Sequence, residues 1–378
     1  MELFQRILDL NDLLKRKSHF LFGPRSVGKT TLIERTLPGA LIFDLLDNSV
    51  YSRLIRRPSL ITEEAVPGQI IVIDEIQKYP PLLDEVQRAM KTHNNRFLLT
   101  GSSARKLKHG AGNLLGGRAW QAHLHPLTRG EISFFDLTRY LNSGGIPFIY
   151  VSDHPAEELA HYADLYLREE IVAEALSRNI GYFVRFLDIM ALGNGEELSF
   201  QGLASDCGVP ARTVQNYVQI LEDTLMGFTL PPFLSTKKRK AITRSKFYFF
   251  DVGVVNHLAK RGEVLPKSDV FGRAFEHFIV MEMRAYLAYA RRRLPLTYWR
   301  STSGFEVDAI VGDKLAVEIK STDLISEKHT KGLRSFKEEG LVRDYAVVSL
   351  DLRKRDMDGV TIYPWTDFLD RMWRGELF

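Results

Sequence analysis

The chain has 378 residues, of which 45% are hydrophobic and 26% charged, a composition typical of globular proteins. Its net charge of +4 is too small to indicate a nucleic-acid partner by itself, and its single cysteine, Cys207, excludes an intramolecular disulfide. No apolar run approaches the roughly 18 residues that span a bilayer, and residues 1–17 are predicted to form an amphipathic helix rather than a secretory signal. These features predict a cytoplasmic protein without a membrane partner, with about two to four domains.

Short apolar strands alternate with helical patterns through the first 105 residues. Strands are predicted at 19–22, 41–44, 69–74 and 96–100, and the apolar residues within 82–90 recur at helical spacing. Such alternation predicts an α/β fold whose parallel sheet is covered on both faces.

Residues 23–30 read GPRSVGKT, directly after the first predicted strand and directly before a helical segment. This GxxxxGK[ST] pattern in this context predicts a phosphate-binding (Walker A) loop rather than a chance glycine turn. Its backbone N–H groups and the following helix would hold phosphate oxygens, Lys29 would reach the terminal phosphates, and Thr30 would offer its hydroxyl to Mg²⁺. The predicted cofactor-binding residues of the loop are Gly23, Pro24, Arg25, Ser26, Val27, Gly28, Lys29, Thr30 and Thr31.

The third predicted strand ends in Asp74-Glu75, at the edge of a parallel sheet where ligands bind. Asp74 is predicted to hold the magnesium through water, and Glu75 to polarise the attacking water, which favours hydrolysis over binding alone. The next strand ends near Ser102, which we expect to orient that water, with Thr100 as the alternative.

An arginine often neutralises charge in the transition state of phosphoryl transfer. Arg118 follows a glycine-rich stretch and is the first candidate for an arginine finger, and Arg105 is the second. A finger that acts on the next subunit requires an oligomer. The alternative is that both arginines are ordinary surface charges.

With these motifs in hand, the chain resembles the prokaryotic AAA+ ATPases that carry an uncharacterised C-terminal half. The resemblance covers nearly the whole chain and rests on GPRSVGKT, IIVIDEIQ, FLLTGSS, LLGGR, HPLTRGE, LNSGGIP, HYADLYLREEI, KFYFFDVGV and EVDAIV…AVEIKS. It implies a five-stranded parallel sheet, hydrolysis of ATP with Mg²⁺, and a homo-oligomer that could close into a ring. A second arginine sensor in a helical lid is not recognisable, which leaves the geometry of the oligomer open.

Residues 198–225 predict a helix-turn-helix in which Ser199 caps the first helix and Gly208 ends it. The exposed start of the second helix carries polar residues suited to base contacts, namely Arg212, Thr213, Gln215 and Asn216. Apolar runs at 228–230 and 247–250 could form a wing, and the basic run between them (237–240, with Arg244 and Lys246) would suit a phosphate backbone. Winged helices also bind proteins, so a DNA partner and a protein partner both remain open.

In the last region, Glu318 and Lys320 fall on one face of a predicted strand, and Asp308 lies on the strand before it. Together with Glu276 on the preceding helix, this spacing resembles the restriction-endonuclease-like PD-(D/E)xK fold. Asp308 and Glu318 would bind Mg²⁺, Lys320 would position water, and Glu276 would tune the site. The alternative is an inactive relic or an ordinary salt-bridged strand pair.

We therefore predict an ATPase domain at 1–150, a helical linker or lid at 151–195, a winged helix at 196–264 and a nuclease-like domain at 265–378. The predicted function is hydrolysis of Mg·ATP coupled to DNA binding or processing. One alternative is a nucleotide-dependent regulatory switch with protein partners and a catalytically silent C-terminal scaffold. Another is a DNA-binding regulator with slow hydrolysis.

Overall fold

The computed structural model describes residues 4–92, 95–103, 115–167 and 180–378. The chain divides into two compact units, one made of residues 1–127 and 220–226 and the other of residues 128–219 and 227–378. Among the described residues, no helix combines the length and the apolar character needed to cross a bilayer.

The first unit is built on a five-stranded sheet with the order β2-β3-β4-β1-β5. Every neighbouring pair of these strands is parallel, so the predicted parallel sheet is confirmed. The strands are β1 (Ser18–Phe22), β2 (Leu41–Asp44), β3 (Ile70–Asp74), β4 (Arg96–Gly101) and β5 (Ala119–His123).

Five helices are described in this unit: α1 (Leu10–Arg16), α2 (Lys29–Thr36), α3 (Asn48–Arg56), α4 (Leu60–Glu63) and α5 (Leu82–Thr92). The amphipathic helix predicted for residues 1–17 is shorter than expected, because the Asp9 side chain accepts from the backbone N–H of Asp12 at 3.1 Å and caps α1 at Leu10. The three central strands β1, β3 and β4 are buried along nearly their whole length, as their continuous apolar runs require, whereas the outer strands β2 and β5 keep exposed residues.

The second unit contains most of the helices, and its first three follow each other closely along the chain. Its helices are α6 (Leu137–Ser143), α7 (Pro147–Val151), α8 (Pro155–His161), α9 (Ile180–Leu192), α10 (Phe200–Cys207), α11 (Ala211–Asp223, whose last turn belongs to the first unit), α12 (Val252–Leu258), α13 (Asp269–Tyr289), α14 (Lys331–Lys337) and α15 (Trp365–Trp373). Within the predicted helical linker, Tyr162–Leu167 forms a π-helical segment after α8.

A six-stranded mixed sheet forms the C-terminal part, in the order β12-β13-β11-β10-β9-β8. β10, β11 and β13 run parallel, whereas β8, β9 and β12 pair in antiparallel fashion with their neighbours. The strands are β8 (Leu296–Arg300), β9 (Glu306–Val311), β10 (Leu315–Lys320), β11 (Asp344–Ser349), β12 (Arg355–Met357) and β13 (Val360–Pro364).

Before this sheet, two short helices and a strand pair occupy the segment expected to form a helix-turn-helix and wing. The Ser199 side chain caps α10, and Gly208, with φ 71°, ends that helix in the left-handed conformation that glycine allows. Strands β6 (Gly227–Leu230) and β7 (Lys246–Phe249) pair in antiparallel fashion, with Gly227 opposite Phe249.

Candidate functional site

The loop between β1 and α2 takes the form of a phosphate cradle. Ser26 and Gly28 have φ of 64° and 92°, so the chain turns through the left-handed region immediately before α2. The Lys29 ammonium donates to the carbonyl oxygens of Gly23 at 2.7 Å and Pro24 at 3.1 Å, which curls the side chain back over the loop. Lys29 is buried and is the first residue of α2. Its positive charge therefore lies beside the loop, at the positive end of the helix dipole.

The hydroxyl of Thr30 and the carboxylate of Asp74 meet at the edge of the sheet. Thr30 Oγ1 donates to Asp74 Oδ2 at 3.0 Å, and the buried hydroxyl of Thr100 donates to Asp74 Oδ1. Hydroxyl and carboxylate oxygens are the hard ligands that Mg²⁺ prefers. Their direct contact across 44 residues of sequence fits a shared magnesium between the loop and β3.

Glu75 follows β3 and adopts a φ of 58°, a left-handed conformation that is uncommon for a residue with a side chain. Its backbone N–H donates to Thr100 Oγ1 at 3.1 Å, which ties the residue to β4. Its carboxylate accepts a hydrogen bond from the amide of Gln77, and Ser102 Oγ lies 3.4 Å from the same carboxylate oxygen. The structure thus brings Glu75 and Ser102 together, while Thr100 contacts Asp74.

Gln77 is a site residue that the sequence reasoning missed. Its Nε2 contacts both Glu75 and Ser102, the latter at 3.2 Å. The available signal was its position two residues after the acidic pair, at the end of IIVIDEIQ, and the structure shows that it is buried.

Of the remaining predicted residues, Val27 is fully buried, whereas three others are exposed. Arg25 and Thr31 are exposed on the loop and the first turn of α2, and Arg118 is exposed at the start of β5. The backbone N–H of Arg118 donates to Leu115 at 2.8 Å, which closes a tight turn. Arg105, the other finger candidate, lies outside the described residues.

A second polar cluster lies in the second unit, where four residues predicted from separate segments converge. The Lys320 ammonium lies 2.6 Å from Glu318 and 3.6 Å from Asp308. Asp308 Oδ2 also accepts the backbone N–H of Ile319 at 2.7 Å, and Glu276 accepts the hydroxyl of Tyr248 at 2.6 Å. Burial raises the pKa of Glu318 well above its usual range, and the negative charge of Asp308 adds to the effect.

Lys246 is a fifth member of this cluster, although its sequence context suggested an exposed position. Its ammonium lies 2.7 Å from Glu306 and 3.4 Å from Glu276, and its side chain is 5% exposed. Burial acts to lower the pKa of Lys246, but the negative charge of Glu276 and its neighbours outweighs burial and raises the pKa well above its usual value.

Acids distant in sequence also hold the backbone of the rest of the basic run, while the side chains of Lys237, Lys238 and Lys240 are exposed. The carboxylate of Glu339 accepts the backbone N–H groups of Lys237 at 2.8 Å, Lys238 at 3.0 Å and Arg239 at 3.0 Å. The guanidinium of Arg239 donates to Glu338 at 2.8 Å. These acids lie on the segment that follows α14, about 100 residues along the chain, which is why the local sequence showed no acid.

A cleft of about 660 Å³ opens beside the second cluster. It is lined by the first turns of α13, including Glu276, and by the end of β10, including Lys320. No three His, Cys, Asp or Glu side chains within the described ranges are grouped so as to hold a metal ion. The cluster offers the two carboxylates of Asp308 and Glu318, with Lys320 beside them. Glu318 Oε2 is buried without a hydrogen-bond partner among the described residues.

The helix-turn-helix candidates lie at the start of α11 as expected from the sequence. Arg212, Gln215 and Asn216 are exposed, and Thr213 is half-buried. Arg212 donates to the side chain of Gln215 at 3.3 Å.

Comparison with known sequences divides the chain into three matched segments. An AAA domain family model matches residues 15–133. Two models described as domains of unknown function match the remainder, DUF8612 over residues 135–264 and DUF4143 over residues 271–368.

Similar proteins occur in two mycobacteria and in Methanocaldococcus jannaschii. Uncharacterized proteins of Mycobacterium bovis and Mycobacterium tuberculosis are each 26% identical over 315 residues, which cover 80% of this chain and 70% of the relative. An uncharacterized protein of Methanocaldococcus jannaschii is 22% identical over an alignment that covers 94% of this chain and 85% of the relative.

Among solved structures, the RuvB Holliday junction branch migration motor of Thermotoga maritima is 18% identical with a TM-score of 0.32, covering 59% of this chain and 86% of that chain. The family match over residues 15–133, the parallel five-stranded sheet and the GxxxxGKT loop together support a nucleotide-binding AAA+ ATPase domain with the P-loop fold in this part of the chain.

Proposed function

We propose that the protein binds Mg·ATP at the loop between β1 and α2 and hydrolyses it. The observation that carries this proposal is the contact of Thr30 with Asp74 beside Glu75, at the sheet edge where Lys29 lies. A metal ligand pair, a cation for the phosphates and a carboxylate base are the parts that phosphoryl transfer to water requires.

Each side chain has a role that follows from its position. Lys29 neutralises charge on the terminal phosphates, and Thr30 and Asp74 hold the Mg²⁺, which when bound neutralises charge on the phosphate oxygens. Glu75 accepts a proton from the attacking water, and Ser102 orients that water. Arg118, exposed at the start of β5, is the proposed finger toward a neighbouring subunit of a homo-oligomer.

Release of inorganic phosphate from ATP tests this function directly. The wild type is expected to release phosphate in a Mg²⁺-dependent manner, whereas Lys29→Ala loses both binding and turnover. Glu75→Gln is expected to bind ATP but lose turnover by roughly 100-fold or more, because it removes the general base. Equal phosphate release by the wild type and Glu75→Gln would refute the assignment of the base.

The second cluster supports a further candidate function, metal-dependent processing of DNA by the C-terminal domain. The observation that favours it is the buried, unpartnered Oε2 of Glu318 next to Asp308 and Lys320, beside an open cleft. Asp308 and Glu318 would hold Mg²⁺, which when bound would stabilise charge on a phosphodiester, and Lys320 would position the water. Lys320→Ala is expected to abolish Mg²⁺-dependent cutting, and intact DNA after incubation of the wild type with Mg²⁺ or Mn²⁺ would refute this candidate.

DNA contact through α11 is the companion proposal, based on its exposed Arg212, Gln215 and Asn216. Binding should weaken steeply as salt rises, since phosphate contacts release counterions. Salt-independent behaviour, with a protein captured in the ATP-bound state, would instead favour a regulatory switch whose C-terminal domain is a scaffold.

A further inference from the structure

Gln77 links the two residues that face the attacking water in the proposed ATPase site. Its side-chain nitrogen donates to Glu75 Oε2 and to Ser102 Oγ, the latter at 3.2 Å. The residue is buried, with 8% of its surface exposed, and its amide oxygen has no hydrogen-bond partner among the described residues. Because the amide oxygen has no hydrogen bond that would orient it, the orientation of this amide is set by the two hydrogen bonds of its nitrogen.

We infer that Gln77 is a positioning residue of the ATPase site: its amide holds the carboxylate of Glu75 in the orientation that accepts a proton from water. The inference rests on the proposed hydrolysis of ATP. It adds a residue outside the phosphate loop and the acidic pair.

Glu75 needs such a partner because of where it lies. It is the first residue after β3, half-buried, in a left-handed backbone conformation, and its side chain has three rotatable bonds. Fixing a glutamate side chain costs conformational entropy, which a hydrogen bond to its charged carboxylate can offset. A lysine or arginine in this position would place a positive charge beside the carboxylate and weaken it as a base. A neutral amide fixes the carboxylate without that charge.

Gly101, the last residue of β4, makes room for this amide. A Cβ built on Gly101 would lie 2.7 Å from Gln77 Oε1, closer than real Cβ contacts allow. The backbone of Gly101 is outside the left-handed region, so alanine is compatible with its conformation. Gly101→Ala should therefore push the Gln77 amide away from Glu75 while every polar group of the site is kept.

The test compares Gln77→Ala, Gly101→Ala and the double variant in the full chain, with Gly39→Ala as the matched control. A Cβ on Gly39 meets nothing within 4 Å. Loss of positioning is expected to lower kcat for ATP by roughly 10- to 100-fold in each single variant. KM and the calorimetric affinity for Mg·ATP should stay within about twofold of wild type, because Gln77 contacts the base rather than the loop.

The double variant should be no slower than Gln77→Ala, since both changes remove the same contact. Wild-type kcat in Gln77→Ala, in a sample where wild type itself hydrolyses ATP, would overturn the inference and leave the proposed function standing. Loss of nucleotide affinity in step with kcat in both single variants would also overturn it, because the residue would then only support the fold. A wild type without turnover would instead refute the proposed function.

Discussion

Lys246→Met tests a buried positive charge in the second unit. The variant keeps a side chain of similar length for packing but removes the ammonium that lies 2.7 Å from Glu306 and 3.4 Å from Glu276. Two carboxylates would then face each other without the cation between them. We expect a large loss of stability for the C-terminal sheet and the β6–β7 pair.

The size of the effect follows from the burial of the three groups. Removing one partner of a fully buried ion pair costs about 3–5 kcal/mol, because the other charge is left without compensation. The Lys246 side chain is only 5% exposed, but those of Glu276 and Glu306 keep 25% and 29% exposure, so water relieves part of their charge. We therefore expect a cost of about 3 kcal/mol, at the lower end of that range.

Urea unfolding followed by tryptophan fluorescence measures this cost, since three of the four tryptophans lie in the second unit: Trp299, Trp365 and Trp373. The matched control is Lys267→Met, whose ammonium lies 3.8 Å from Asp323 in a pair that is 83% and 67% exposed, and we expect it to cost less than about 1 kcal/mol. Adding Glu306→Gln to Lys246→Met should recover part of the loss. A Lys246→Met midpoint no lower than that of the control would refute the reasoning.

Three further predictions concern contacts within the second unit. Gly253→Ala should destabilise it by about 1–3 kcal/mol in chemical unfolding, because a Cβ there would lie 2.5 Å from the carbonyl of Ser143; an unchanged midpoint would contradict this. Burial raises the pKa of Asp251 from 3.8 to about 6, so the protonated form is favoured in the folded state. The free energy of unfolding should therefore fall by about 3 kcal/mol as the pH rises from below 3.8 to above 6. The urea midpoints at about pH 4.5 and pH 7 should differ less in Asp251→Asn than in the wild type, and an equal difference would contradict this. Glu339→Ala removes the acceptor of three backbone N–H groups at 237–239, and trypsin should cut this segment faster than in the wild type; equal rates would show that the carboxylate does not hold it.

The P-loop domain could be predicted from local sequence because its signals are short-range. The loop, the strand before it and the helix after it lie within about 20 residues, and the buried strand that ends in Asp74 reads as a continuous apolar run. Strand bounds shifted by no more than one residue, since burial on both faces leaves few alternatives for where a strand begins and ends.

The polar clusters of the second unit could not be predicted in the same way, because their partners are distant in sequence. Lys246 meets Glu276 and Glu306 at separations of 30 and 60 residues, and the basic run meets Glu339 at about 100. A run of basic residues without nearby acids is expected from sequence to be solvent-exposed, yet tertiary contacts bury Lys246 and hold the backbone at residues 237–239. Gln77 was missed for another reason: it ends the segment IIVIDEIQ, but its role follows from side-chain contacts with Glu75 and Ser102 that the segment alone does not reveal.

Calorimetric titration of Mg·ATP into the full chain tests the central claim most directly. We expect saturable binding that requires Mg²⁺, that is lost in Lys29→Ala, and that persists in Glu75→Gln. A folded wild-type sample that shows no binding heat with Mg²⁺ present at several temperatures would contradict the account.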